Sequence, residues 1–174
     1  YSQDTLTLFV DAKTRLMTAK RVIDGITPGL GQLGLSWLPL QTVPMIPFVT
    51  NGFLYRSGIA GSIYAMACYV LAAVLMYKLV SSVTGDKGSG LIAVLALSAP
   101  NLMYMQSVAM SEVPFIAYFL AGAYFAMKWV STDKVGYLVA CAFAVFLVTL
   151  TRFEGWVFLF PTLYEGFGIP VLEA

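Results

Sequence analysis

The run Gly58–Tyr77, GIAGSIYAMACYVLAAVLMY, passes through 20 residues without a single charge. A bilayer's hydrocarbon core needs about 20 apolar residues in helical form, so this one segment already points to lipid as the solvent. Three further runs repeat the pattern: Leu91–Met110, interrupted by Pro100-Asn101; Val113–Met127, ending at Lys128-Trp129; and Val135–Thr151. A partial run begins at Trp156 and stops at Pro161. The expected fold is all-α, a polytopic membrane helix bundle of about four full transmembrane helices across residues 57–161. Residues 1–56 precede it as a first loop and residues 162–174 follow as a short tail.

Composition narrows the class. Only 11% of the 174 residues are charged and 59% are hydrophobic, with a mean hydropathy of +0.81. Soluble domains carry about a quarter charged residues, so a disordered segment is excluded and a water-soluble globule is a poor fit. Ten basic against nine acidic residues leave no excess to hold a phosphate backbone, which argues against a nucleic-acid partner. The chain has no histidine and so lacks the commonest zinc ligand and general base. Cys68 and Cys141 lie inside apolar runs without a CxxC spacing, and read as lipid- or core-facing thiols.

Orientation follows from the basic residues. The connections Lys78–Lys87 and Lys128–Lys134 carry four lysines, and the stretch Met105–Glu112 carries none. The positive-inside rule therefore puts the two basic connections in the cytoplasm. Residues 1–56 then lie outside although they hold Lys13, Arg15, Lys20, Arg21 and Arg56. The rule weakens over long loops, and an outer basic cluster also suits an anionic ligand. The sequence starts at Tyr1 without a signal-peptide pattern, so an upstream membrane helix is expected to be missing and the chain to be a fragment.

Within the first loop, Ala12–Asp24 has helical periodicity, with Ala12, Leu16, Ala19 and Ile23 on one stripe and Lys13, Lys20 and Asp24 on another face. Such a basic amphipathic helix suits a membrane interface, whether it lines a site or only rests on headgroups. Thr27–Pro47 holds four prolines and three glycines in 21 residues, which no regular helix or central strand tolerates. Its Leu, Trp, Met and Ile content favours a packed loop over a solvated linker.

The charged residues then draw attention to one face. Asp11 precedes the amphipathic helix, Glu112 starts the third apolar run, and Arg152 and Glu154 follow the fourth. Ionisable groups gathered at helix ends on one membrane face mark a site. Helix capping, at roughly 0.3–1 kcal/mol per charge, or snorkelling is the plainer alternative.

These residues also resemble a known family. Asp11–Leu40, DAKTRLMTAKRVIDGITPGLGQLGLSWLPL, resembles the first extracytoplasmic loop of family 39 glycosyltransferases, the protein-mannosyltransferase-like GT-C membrane enzymes of prokaryotic type. AMSEVPF (Ala109–Phe115) resembles that family's Thr/Ser-Glu-Pro helix start, and LTRFEGW (Leu150–Trp156) its Thr-Arg-Tyr-Glu-Gly-Trp. The resemblance spans about residues 8–158. It implies an integral protein of the prokaryotic plasma membrane that transfers a sugar from a polyprenyl-phosphate donor to a protein, lipid or glycan hydroxyl at the extracytoplasmic face, by inverting displacement. It implies Asp11 as the general base or beside it, with Glu112 as a second catalytic candidate. Arg15, Gln32, Trp37, Arg152 and Glu154 become candidates for contacts to the sugar or lipid phosphate. No cofactor is certain, and a divalent cation is an open option. Many relatives have a histidine shortly after the Asp-Ala pair, and this chain has none.

The tail resembles a different family. TLYEGFGIPVLEA (Thr162–Ala174) places Glu165 and Glu173 at the Glu-x7-Glu spacing of soluble family 4 GT-B glycosyltransferases. The combination reads as a chimeric or mis-joined frame with its junction near Val157–Pro161, natural fusion being the alternative. A complete donor groove is not expected within 174 residues, so the fragment alone is expected to be inactive. Two other classes compete with the glycosyltransferase reading. A transporter or channel segment would need broken helix pairs or midplane charges, of which only Pro100-Asn101 offers a trace. A non-catalytic membrane assembly subunit also fits the length.

Overall fold

The computed structural model describes residues 10–33 and 38–158, and every regular element among the described residues is helical. Helix α1 (Val10–Asp24) buries Ala12, Leu16 and Ala19, and Ile23 packs against the same cluster. This is the stripe read from periodicity. The helix packs against Met45, Val49, Ala60, Val108 and Ala109, so its apolar face is covered by protein.

The described part of the Pro/Gly-rich stretch is a chain of tight turns. Single 3-10 turns at Leu30–Leu33, Pro39–Gln41 and Val43–Met45 lead into α2 (Ile46–Val49) and α3 (Gly52–Arg56). Proline occupies the first or second position of the last two of these turns and of α2. There its missing N–H has no partner to lose and its fixed φ favours the turn. Met45 and Val49 are fully buried, which anchors the stretch as a packed loop. Asn51 caps α3, its side chain accepting from the Phe53 and Leu54 amides at 2.9 and 3.4 Å.

Among the described residues, two helices are long and apolar enough to cross a membrane: α4 (Ile59–Thr84) and α7 (Glu112–Thr132). Of the four full spans expected, two are found among the described residues. The run at 91–110 is divided into α5 (Lys87–Leu95), a 3-10 turn (Ala96–Ser98) and α6 (Pro100–Met105). Pro100 forces the break: it lacks an N–H and disfavours helical geometry at the residue before it, and Ala99 is extended with ψ 131°. The hydroxyl of Tyr69 donates to the Leu97 carbonyl at 3.0 Å, satisfying a backbone group that the break releases. Even so, the broken run follows α4 along its length. Gly90 lies on Tyr77 and Ser81, Leu97 meets Tyr69, the Ser62 hydroxyl donates to the Ser107 carbonyl, and Ala109 lies on Gly61. The fourth run forms α8 (Val135–Thr151), whose 17 residues reach about 26 Å at 1.5 Å per residue, short of a hydrocarbon core of about 30 Å.

Small residues set the spacing between these helices. Ala72, Ala117, Ala121 and Ala144 are buried together with Cys68, Leu75, Leu97, Val113 and Leu120 in one cluster linking α4, the broken run, α7 and α8. Such residues let helix backbones approach closely. Val70 and Val74 on α4, and Val139, Phe143 and Phe146 on α8, are exposed, an apolar surface suited to lipid. The helices α4 and α7 run side by side in one direction, with the Tyr64 and Tyr118 hydroxyls 3.2 Å apart. A tight turn at Asp133, φ 51°, sends α8 back along α7. Glu112 at the start of α7 and Arg152 just past the end of α8 therefore meet at the end where α1 packs.

Candidate active site

At that end lies a cavity of about 210 Å³ lined by Asp11, Arg15, Leu38, Gln41, Ser111, Glu112, Arg152, Phe153 and Glu154. Each wall comes from a different element. Asp11 occupies the first turn of α1, and Arg15 follows one turn later on the buried side. Gln41 closes the Pro39–Gln41 turn, Glu112 opens α7, and Arg152 breaks away from α8 with extended geometry.

Arg152 ties two of these walls together. Its Nη1 donates to Glu112 Oε1 at 2.6 Å and to Ser111 Oγ at 3.2 Å. Its Nε and Nη2 donate to the two oxygens of Glu154 at 3.2 and 2.6 Å, a bidentate fork. The hydrogen bonds to Glu154 chiefly hold the Arg152 guanidinium above its ordinary pKa, and Glu112 adds to them. They also hold the Glu154 carboxyl below the ordinary carboxylate value. The turn that presents Glu154 is fixed from behind, where the Trp156 indole N–H donates to the Thr149 carbonyl at 3.0 Å.

Arg15 behaves differently. It is 4% exposed, and its Nη1 donates to the Ala109 carbonyl at 3.1 Å. Burial pushes its pKa down, while Glu112 and Asp11 pull it back up. The cavity thus gathers three carboxylates and two guanidiniums, one formal negative charge in excess. Its acceptors are also in excess. Glu112 Oε2 and Gln41 Oε1 are buried without a hydrogen-bond donor, whereas the Gln41 Nε2 donates to the Thr151 carbonyl. Buried oxygens of this kind are costly unless a donor arrives.

The structure brings together Asp11, Arg15, Glu112, Arg152 and Glu154, all singled out from the sequence. Gln32 stands apart: its amide donates to the Thr27 carbonyl and hydroxyl at 3.0 and 2.7 Å, and it does not line the cavity. Trp37 lies outside the described residues, as do Glu165, Glu173 and the rest of the 162–174 tail. The glutamine at the cavity is Gln41, and the serine is Ser111; sequence reasoning passed over both. Ser111 sits inside the AMSEVPF motif. For Gln41 the available signal was a lone amide in an apolar proline-rich stretch, LPLQTVP. Among the described residues no group of three or more His, Cys, Asp or Glu side chains is placed to hold a metal ion.

A family model described as dolichyl-phosphate-mannose-protein mannosyltransferase matches residues 41–170, well over half of the chain. The chain belongs to that family. The match contains Glu112, Arg152 and Glu154 and begins at Gln41; Asp11 and Arg15 lie ahead of it. It also runs past the Val157–Pro161 stretch, where the sequence suggested a junction, and takes in most of the tail. No curated protein and no solved structure matches the chain. The parent family is one of glycosyltransferases, and together with α4 and α7 it supports a membrane mannosyltransferase-like protein.

Proposed function

We propose that this chain forms the outer-face catalytic portion of a glycosyltransferase that moves a mannose-type hexose from a polyprenyl phosphate to a hydroxyl of a protein acceptor. The observation that carries the reading is the convergence of Asp11, Glu112, Glu154, Arg15 and Arg152 on one cavity. They are drawn from positions more than a hundred residues apart and sit at the helix-end level where a lipid headgroup lies. Hydroxyl transfer needs a carboxylate to take the acceptor's proton, and Asp11, exposed at the first turn of α1, has the access for this role. The acceptor oxygen then attacks the anomeric carbon, and the bond to the phosphate oxygen breaks with inversion. Negative charge grows on the leaving phosphate, and a buried cation next to it lowers the barrier. Arg15, buried in the cavity wall, is the cation assigned to this task. In this reading Arg152 positions Glu112 and Glu154, with Glu112 turned toward the sugar. The basic ends of α4, α5, α7 and α8 (Lys78, Lys87, Lys128 and Lys134) lie at the opposite end of the bundle, which supports an extracytoplasmic site under the positive-inside rule.

Because the chain alone is expected to be inactive, the test is transfer of labelled mannose from a polyprenyl-phosphate donor to a hydroxyl-bearing peptide by a full-length enzyme carrying this segment, in proteoliposomes. Asp11→Asn is expected to lower transfer by about a hundredfold or more. Undiminished transfer by that variant removes Asp11 as the base, and no transfer from any polyprenyl-phosphate sugar overturns the reading as a whole.

A further inference from the structure

Between the two helices that carry Glu112 and Arg152 runs another cavity, an open groove of about 180 Å³ lined by Gly122, Ala123 and Ala126 of α7 and by Cys141, Val145 and Val148 of α8. Its width comes from a missing side chain: a Cβ built on Gly122 would already reach Val145 Cγ2 at 3.6 Å. Residue spacing ties the groove to the charged cavity. Phe119, which also lines the groove, follows Glu112 by seven residues, and Ala123 and Ala126 follow at further steps of four and three. On α8, Cys141, Val145, Val148 and Arg152 stand four, three and four apart. Each set lies along one helical face, so the groove continues beneath the Glu112–Arg152 ion pair. The turn bearing Glu154 rests on its upper end, where a Cβ on Gly155 would meet the Val148 carbonyl oxygen at 2.6 Å. At 1.5 Å per residue, Cys141 lies about 16 Å below Arg152 and Ala126 about 21 Å below Glu112, well inside the hydrocarbon.

The lipid around the bundle is as apolar as the groove, so an apolar chain gains little by moving from one to the other. Selection has to come from what the chain is attached to and from its shape. A chain whose phosphate is held in the cavity above is delivered to the groove at high effective concentration, and walls of glycine and alanine leave room for methyl branches that an acyl chain lacks. Resting on the donor reading above, we infer that the groove between α7 and α8 holds the isoprenoid chain of the lipid-linked donor, which enters beneath Glu112 and Arg152 and passes Gly122 toward Cys141.

Photocrosslinking to a full-length enzyme carrying this segment, in phosphatidylcholine nanodiscs, tests this without requiring turnover. The probe is a long-chain polyprenyl phosphate with a diazirine within its chain. The competitors are unlabelled polyprenyl phosphate and phosphatidic acid, which offers a phosphate on unbranched acyl chains. Peptide mass spectrometry is expected to find the probe on residues 119–126 and 141–148, with polyprenyl phosphate displacing it about tenfold or more effectively than phosphatidic acid. Gly122→Leu, which fills the groove, is expected to weaken the long-chain lipid about fivefold or more and to leave unchanged an isoprenyl phosphate too short to reach Gly122. Ala126→Leu, at the lower end, gives the same split if Gly122→Leu does not fold. The inference is overturned if the probe labels other segments or phosphatidic acid competes equally. It is also overturned if the folded variants keep wild-type affinity for the long-chain lipid, or weaken the short lipid as much as the long one. Absence of any labelling that polyprenyl phosphate displaces is a separate result, which removes the donor reading itself and the inference with it.

Discussion

The guanidinium of Arg152 joins parts of the chain that share no local sequence. It reaches Glu112 across 40 positions at 2.6 Å and grips Glu154 two residues ahead. Neither pair is deep: Arg152 is 27% exposed, Glu112 30% and Glu154 60%, so solvent screens the Glu154 contact in particular. That weakness gives a pH prediction. The folded Glu154 carboxyl titrates below its ordinary value of 4.5 because Arg152 donates to it. Its stabilising contribution is therefore complete above about pH 4.5 and is lost as pH falls through the lower folded value. Melting temperature followed between pH 7 and pH 3 should show this acid-side loss, and Glu154→Gln should flatten it while lowering stability slightly at pH 7. An unchanged acid slope in the variant would mean the fork contributes nothing in solution. The charged members of the site were legible in the sequence because a charge is conspicuous among apolar runs and expensive to place near lipid. Gln41 was not, because a neutral amide carries no such mark; only its burial and its bond to the Thr151 carbonyl distinguish it from Gln32, which turns to Thr27 instead.

Among the elements, the close contact between α4 and the segment ahead of α7 controls the geometry of the site. A Cβ placed on Gly61 would meet the Ala109 Cβ at 2.4 Å, far inside contact distance, and the Ala109 carbonyl is the acceptor of Arg15. Gly61→Ala should force the two backbones apart and cost about 1–3 kcal/mol, the usual range for overpacking. Ala109→Gly on the same background should restore most of the loss, since it removes the atom that clashes. Thermal unfolding of the two single variants and the double variant in detergent measures the coupling; additive losses would show that the two positions do not touch. Hydropathy foretold where these elements lie but not all of their continuity. It counts apolar residues without asking whether the backbone ladder closes, so it marks the interruption at Pro100 without showing that the run divides into α5, a 3-10 turn and α6. Helix α1 was easier to read because Ala12, Leu16 and Ala19 recur at helical spacing and all three end up buried.

For the molecule as a whole, basic residues at both ends of the bundle pull against one another in setting which way it faces. The count looks balanced only if every basic residue is treated alike. At the site end Arg15 is buried in the cavity wall, and Lys20 is held by Asp24 at 2.7 Å and by the Tyr55 ring at 5.6 Å. Residues engaged in this way belong to a folded layer over that end of the bundle. The positive-inside rule acts on short connections near helix ends, such as those bearing Lys78, Lys87, Lys128 and Lys134, and these should therefore decide the orientation. Two single cysteines in a Cys68→Ala, Cys141→Ala background test it. Ile26→Cys reports on the site end, where Ile26 is fully exposed, and Ser131→Cys reports on the exposed last turn of α7. A membrane-impermeant maleimide should label Ile26→Cys in intact cells and reach Ser131→Cys only after permeabilisation. The reverse pattern would put Asp11, Glu112 and Arg15 on the cytoplasmic side. A lipid-linked donor presented at the outer leaflet would then have no access to them, although their mutual geometry would be unchanged.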